Sequence, residues 1–310
     1  MSRPEFAIVG AGALGSILAA HLVRAGRSVT LLARGQRAQQ VREQGLRIKG
    51  LIEFSTPVEL LTDPAQLREA GTLIIATKTP GSEQTMASLR HVQVDRAVSI
   101  QNGVMKDELL SQTYGHEQTL GALADTSGEL LASGDVLFTR NVNLFVGELD
   151  GAMSDTARGI VKAIDDAGVR ATLVPDIVSR EWSKFVGWVG FVSLSLTTRA
   201  ITWKFLSDPD AALLVARLTR EVASLASALG VKLTEDRAIL PLSTVIDGTE
   251  AQAIAAVQKV GADYQTKAPE HRMSSLQDLL AGRPLEIHET LGYALRKAKE
   301  LNLSLPLLAS

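Results

Sequence analysis

The chain of 310 residues is longer than a single domain usually runs, which favours two domains, each long enough to bury a core. A hydrophobic share of 45%, a charged share of 21% and a net charge of -2 describe an ordinary globular protein and exclude the basic excess that a nucleic-acid partner demands. The absence of cysteine removes disulfides, thiolate metal sites and cysteine nucleophiles together, and it fits a reducing compartment.

The first apolar stretch, Phe6 to Val9, follows Arg3 and is cut by glycines far short of signal-peptide or membrane-spanning length, so a cytoplasmic location is the expectation. Runs at 6–9, 28–33, 72–77, 97–100 and 119–123 are rich in β-branched and aliphatic residues and predict strands. Helical patterns such as 14–25 alternate with them, the rhythm of βαβ units and a mostly parallel sheet. Alternating segments at 136–139 and 143–146 predict two antiparallel strands closing that sheet, and a helix over 154–167 follows. After Pro175 the apolar period is helical almost to the end, with segments beginning near Ile177, Pro209, Thr249 and Pro284. The pattern predicts an α/β domain over 1–175 and an all-helical domain over 176–310, with no repeat or low-complexity segment in either.

Gly10-Ala11-Gly12-Ala13-Leu14-Gly15 ends the first strand and opens the first helix, the context a pyrophosphate-binding turn requires. Gly10 permits the tight turn, Gly12 lets the backbone approach the phosphates, and Gly15 lets the helix pack closely on the strand. The amides of Ala13 and Leu14 then lie at a helix N-terminus, where they meet an anion. A strand-to-helix turn that binds nothing has the same glycines, but the N-terminal position and the second strand favour a Rossmann-type dinucleotide domain. No Gly-Lys-Ser/Thr follows the turn, which excludes a phosphate-loop triphosphatase.

Dinucleotide domains that take NAD usually place a carboxylate at the end of the second strand for the ribose 2′-hydroxyl; this chain has Arg34. A guanidinium pairs with a 2′-phosphate, so NADPH is favoured over NADH, with Arg37 close enough to share or replace that role. Lys78 and Asn102 each follow a predicted strand at the carboxyl edge of the sheet, where ligands bind in such folds. A surface turn at Lys78-Thr79-Pro80 and a hairpin turn at Asn102-Gly103 account for them equally well.

A carbonyl reduced by hydride needs a proton donor, and the helical half must supply it. None of the five histidines has the spacing that pairs it with a carboxylate, so structural or surface roles suit them better. Lys184 stands out, because Arg180-Glu181-Trp182-Ser183-Lys184-Phe185-Val186 puts a cation into an otherwise apolar helix. A lysine snorkelling at the helix surface is the commoner explanation of such a pattern.

The glycine turn, the loop Ser99-Ile100-Gln101-Asn102-Gly103-Val104, the segment Trp182-Ser183-Lys184-Phe185 and the C-terminal block from Ser274 to Ile287 together resemble the ketopantoate reductase family (2-dehydropantoate 2-reductase) over almost the whole chain. The resemblance implies NADPH-dependent reduction of a 2-oxo acid to a 2-hydroxy acid, with ketopantoate giving pantoate for pantothenate synthesis. It implies that Lys184 is the general acid, that Glu286 orients the lysine and the substrate hydroxyl, that Ser274 binds the substrate carboxylate, and that Lys78 and Asn102 lie against the cofactor. A lysine facing a carboxylate stays protonated while burial pulls its pKa down, so Lys184 and Glu286 are implied to form a coupled pair. Taken without the family, Glu286 reads as a helix-start glutamate after Pro284, Ser274 as an N-cap and Asp278 as a solvated helical charge.

The chain departs from the family where many members carry two asparagines and a proline: here stand Trp188, Val192 and Ser193. Losing two amides removes hydrogen bonds and changes the volume available to a substrate, which suits a paralogue acting on a related 2-oxo acid. Two other classes compete. An opine-type dehydrogenase needs a proton-transferring histidine that is missing, and a sensing module would bind NADPH without consuming it. A homodimer fits a helical second domain with apolar faces.

Overall fold

A computed structural model describes residues 3–310, and the chain falls into two units. The first takes the residues up to Asn102 together with Lys106–Ile177; the second takes Gly103–Met105 together with Val178–Ser310. The elements of the first unit are, in chain order, β1 (Phe6–Val9), α1 (Ala13–Arg24), β2 (Val29–Leu32), α2 (Gly35–Gln44), β3 (Leu46–Gly50), β4 (Phe54–Thr56), β5 (Glu59–Leu61), β6 (Glu69–Ile75), α3 (Ser82–Leu89), β7 (Gln93–Ser99), α4 (Met105–Tyr114), β8 (Thr119–Leu130), β9 (Val136–Glu148), α5 (Asp155–Asp166) and β10 (Ala171–Leu173).

The strands make one mixed sheet in the order β4-β3-β9-β8-β7-β6-β1-β2-β5, with β10 beside β9. From β8 to β5 every neighbouring pair is parallel, as βαβ crossovers require. The strand β9 then runs antiparallel to β8, β3 runs parallel to β9, and β4 antiparallel to β3. The two short strands expected over 136–139 and 143–146 are thus one strand. Register shifts between Asp125 and Thr126 and between Ser127 and Gly128 in its partner disturb the pairing, so the alternation looks broken from sequence.

The two ends of this path, β4 and β5, are separated in the chain only by Pro57 and Val58. The sheet therefore curls back on itself and encloses α1, which touches β2, β3, β4, β8 and β9. Every residue of α1 from Gly15 to Leu22 is buried, and Ile17, Leu18 and Leu22 enter one core with Phe6, Ile8, Leu31, Ile48, Val136 and Phe138. A helix apolar around its whole circumference finds its place only inside such a wrap. The glycine turn that precedes α1 is held by this burial rather than by the turn alone.

His21 closes the far end of α1. Its residue is 3% exposed, its Nδ1 lies 2.9 Å from the Ala167 carbonyl, its ring meets Phe54 and Phe138 edge-on, and its Nε2 is buried without a partner. The Nδ1–H tautomer follows, since only a protonated Nδ1 can donate to that carbonyl. Burial pushes its pKa below the ordinary 6.5, more than the Ala167 bond raises it, and Arg24 adds to the depression. A histidine whose folded pKa is depressed contributes stability that is whole above the unfolded pKa of about 6.5 and is lost as pH falls below it. Urea unfolding between pH 5 and 8 is expected to show that loss, and His21→Leu to flatten it. An undiminished acid slope in the variant would assign the effect to other groups.

The second unit is helical: α6 (Ile177–Thr198), α7 (Thr202–Ser207), α8 (Pro209–Ala228), α9 (Leu242–Asp247), α10 (Glu250–Lys267), α11 (Ser274–Leu280), α12 (Leu291–Glu300) and α13 (Pro306–Ala309). Helix starts follow local chemistry. Asp208 accepts from the Ala211 amide ahead of Pro209, and Thr249 with Gln252 forms a capping box. Phe191 of α6 packs edge-on against Phe205 of α7 and Tyr264 of α10, and Gly190 lets α6 approach the backbone of Val215 in α8. The helix expected to begin near Pro284 is absent: Gly282, at φ 64°, ends α11, and the chain turns through Ile287 before α12 starts at Leu291. Among the described residues no helix is long and apolar enough to cross a membrane, and no cluster of His, Asp and Glu is arranged to hold a metal ion.

Candidate active site

Strand register decides which residues share the carboxyl edge of the first unit's sheet. Val9 pairs with Leu32 on one side and Ile75 on the other, and Ile75 pairs with Ser99. The segments that leave β1, β2, β6 and β7 are therefore neighbours, and they carry the glycine turn, Arg34, Lys78 and Asn102 in that order. Four segments far apart in the chain come to one edge.

The turn itself is explained glycine by glycine. Gly10 has φ 107°, which L side chains rarely adopt, and a Cβ there would lie 2.8 Å from the Thr77 amide nitrogen. A Cβ on Gly15 would collide with the Gly10 carbonyl oxygen and approach the Ala76 Cβ to 3.0 Å, so the glycine sets how closely α1 lies on the sheet. Gly12 differs: a Cβ there meets nothing within 4 Å. Neither the turn's φ/ψ nor packing demands a glycine at Gly12, and the space it leaves faces away from the protein's own atoms.

The amide end of α1 is open in the same sense. Gly12 is the N-cap, no side chain caps it, and no acidic residue stands in the first turn. Uncapped N–H groups and the helix dipole at a chain turn stripped of side chains are what a phosphate needs. These residues fit a dinucleotide's pyrophosphate.

Around the turn the expected residues behave differently from one another. Arg34 caps α2 with extended backbone and is exposed. Lys78 is exposed in the segment before α3, and Asn102 is half-buried in a loop that leads into α4, not in a hairpin. Arg37 is engaged with the protein: Nε donates to the Ala11 carbonyl at 2.8 Å, Nη1 to the Gly134 carbonyl at 2.9 Å and Nη2 to the Ser16 hydroxyl at 3.0 Å.

Gln101 was passed over in sequence, yet it joins two of these loops. Its buried amide donates to the Thr77 hydroxyl (3.1 Å), the Lys78 carbonyl (3.1 Å) and the Ser82 hydroxyl (2.9 Å), and its oxygen accepts from Ser99 (3.1 Å). It thereby ties the loop after β6 to the loop after β7. A polar residue directly after an apolar strand, Ala97 to Ile100, was the available signal.

In the second unit Lys184 is half-buried on α6, between the buried side chains of Trp182, Ser183, Phe185 and Val186. Glu286 is 5% exposed and lies in the turn before α12, where its main-chain oxygen accepts from the Thr290 hydroxyl. It is no helix-start glutamate. Ser274 is the exposed first residue of α11, whose N-cap is Met273, while the neighbouring Ser275 is buried with a hydroxyl that has no hydrogen-bond partner. Asp278, expected as a solvated charge, is buried and pairs with Arg283 at 3.2 Å. Trp188 is buried and stacks on Phe185 at 6.2 Å between centroids, and Val192 is fully buried. Of the remaining histidines, His271 bonds to the Thr202 hydroxyl and His91 to the Leu67 carbonyl, both ties within their own units.

Comparison with known proteins bears on the whole chain. Residues 6–151 match the family model described as ketopantoate reductase PanE/ApbA, and residues 176–310 match that of the ketopantoate reductase PanE/ApbA C terminal. A 2-dehydropantoate 2-reductase of Archaeoglobus fulgidus is 28% identical over 296 residues, covering 96% of this chain and 91% of the relative. Among solved structures, a PanE/ApbA family ketopantoate reductase from Ralstonia eutropha superposes with a TM-score of 0.81 at 22% identity, covering 98% of this chain and 94% of that one. A D-mandelate dehydrogenase solved with NADH and anilino(oxo)acetate also reaches 0.81, at 18% identity and the same coverage. At those identities the two structures speak for the fold.

Proposed function

The chain belongs to the ketopantoate reductase PanE/ApbA family, and from that premise we propose that it reduces 2-dehydropantoate to pantoate with NADPH, a step of pantothenate biosynthesis. The observation that carries the reading is the uncapped amide end of α1 behind Gly12, which leaves N–H groups and open space for an anion. A cytoplasmic homodimer goes with the same reading.

When bound, the nicotinamide supplies the hydride. The chain's own groups do the rest. The α1 amides hold the pyrophosphate, Arg34 pairs with the 2′-phosphate, and Lys78 and Asn102 contact the cofactor from the neighbouring loops. Lys184 donates a hydrogen bond to the keto oxygen, draws charge toward it, and gives it a proton as the C–H bond forms, so that the product is a neutral 2-hydroxyl. Glu286 orients the ammonium, and Ser274 receives the substrate carboxylate.

One observation favours a second substrate within the same chemistry. Trp188 and Val192 replace amides by buried apolar groups, and the fold neighbour solved with anilino(oxo)acetate is a D-mandelate dehydrogenase. On that second reading, an apolar 2-oxo acid would be turned over in preference to ketopantoate.

The test follows absorbance at the nicotinamide band with NADPH and NADH, each against ketopantoate, branched 2-oxo acids and an aromatic 2-oxo acid. Ketopantoate with NADPH is expected to give the highest kcat/KM; an aromatic acid ahead of it would establish the second substrate, and no oxidation of either cofactor would end the reductase reading. In the same assay Arg34→Ala is expected to raise the KM for NADPH roughly tenfold or more and to leave NADH nearly unchanged, since the charged bond it removes is made only to the 2′-phosphate. Equal losses with both cofactors would remove Arg34 from that role.

A further inference from the structure

Arg37 is half-buried on the first turn of α2, where burial and the nearby Arg47 pull its pKa below the usual value. Its three donors reach three separate pieces of the first unit. Nε holds the carbonyl of Ala11, the residue between Gly10 and Gly12; Nη2 holds Ser16 in the first turn of α1; Nη1 holds Gly134 at the tip of the β8–β9 hairpin. Ser16 closes the figure by donating its hydroxyl to the same Ala11 carbonyl at 3.0 Å.

The hairpin tip is anchored in its turn. Gln40 donates to Ala132, Arg47 donates to Ser133, and Asp135 is paired with Arg47 at 2.6 Å and Lys49 at 3.0 Å. Arg37 thus adds a second hold on the Gly-Ala-Gly turn, beside the burial of α1, by linking it to a part of the sheet that is well tied down. A turn with glycine on both sides of Ala11 has many conformations available when free, and ordering it costs affinity unless it is ordered beforehand.

We propose that Arg37 is a positioning residue that preorganises the glycine turn for the pyrophosphate, leaving the 2′-phosphate to Arg34. The inference rests on the dinucleotide-binding reading above. Its consequence is specific: the pyrophosphate is common to NADPH, NADH and ADP-ribose, so loss of Arg37 weakens all three alike.

Calorimetric titration of the unaltered protein, Arg37→Ala, Arg37→Lys, Ser16→Ala and Arg34→Ala with those three ligands, beside thermal melts, separates the roles. Arg37→Ala is expected to raise all three Kd values by a common factor of roughly ten or more, because two bonds from a charged donor to the turn and its helix are lost. Arg37→Lys restores only part, having one compact ammonium for a planar fork. Ser16→Ala shows a smaller common loss, and it carries the test if Arg37→Ala does not fold. Two results would overturn the proposal: a loss confined to NADPH, which makes Arg37 a reader of the 2′-phosphate, or unchanged Kd values with a lowered Tm, which makes it a strut and nothing more. Failure of the unaltered protein to bind any of the three would instead overturn the dinucleotide reading beneath it.

Discussion

Lys184→Ala is expected to lower turnover by about 10²–10⁴-fold while dinucleotide affinity stays that of the unaltered protein. The size follows from what the proposed acid does: without it a 2-oxo acid must become an alkoxide with no cation at the oxygen and no proton at hand. Separation from binding follows because Lys184, on α6, is assigned to the keto oxygen, whereas the dinucleotide's phosphates are assigned to the turn before α1 and to Arg34. Lys184 is half-buried beside the packed Phe185 and Val186, so its truncation leaves a gap, and thermal melts of the variants accompany the assay. Lys184→Arg is expected to recover little, since a guanidinium keeps the charge but is a very weak acid in another shape. Single-turnover oxidation of NADPH with each variant is the measurement. Near-normal turnover in the alanine variant would take Lys184 out of the chemistry, and full turnover in the arginine variant would reduce it to a fixed charge.

Gly12→Val and Gly15→Ala are expected to fail in opposite ways, although both alter the same turn. Gly12 has φ −69° and ψ −165°, which valine adopts without strain, and a side chain there meets no atom of the protein. The variant keeps its Tm and loses cofactor affinity by about a hundredfold or more, because its methyl groups fill the approach of the phosphates and close the amides to them. Gly15→Ala instead drives a Cβ into the Gly10 carbonyl and toward Ala76. The helix must move off the sheet, costing about 1–3 kcal/mol of stability, with weaker binding as a by-product. Urea unfolding and cofactor titration on both variants read the two effects. Wild-type affinity in Gly12→Val would mean that the open space there receives no ligand.

Local features were legible in sequence because their causes are local. β1, the glycine turn, α1 and β2 were found within a residue or two, since an apolar run, a strand-to-helix turn and a 3.6-residue period are each written in a short stretch. The strands β3, β4, β5 and β10 were not found. They are short and partly exposed, and β3, Leu46-Arg47-Ile48-Lys49-Gly50, is interspersed with charge; β3 and β10 become strands by pairing with β9, β5 with β2, and β4 with β3.

The candidate site divides the same way. The residue types at Gly10, Gly12, Gly15 and Arg34 determined a tight strand-to-helix turn, open at Gly12, with a cation at the end of the second strand, since steric freedom and charge belong to the residues themselves. That Arg37 holds Ala11, Ser16 and Gly134, that Gln101 joins the loops after β6 and β7, and that Glu286 and Asp278 are buried while Ser274 is exposed was decided by tertiary structure alone. The partners of Arg37 lie as far as 97 positions away in the chain. Burial and hydrogen-bond partnership depend on which distant segments the fold brings alongside, and no short window of sequence carries that information.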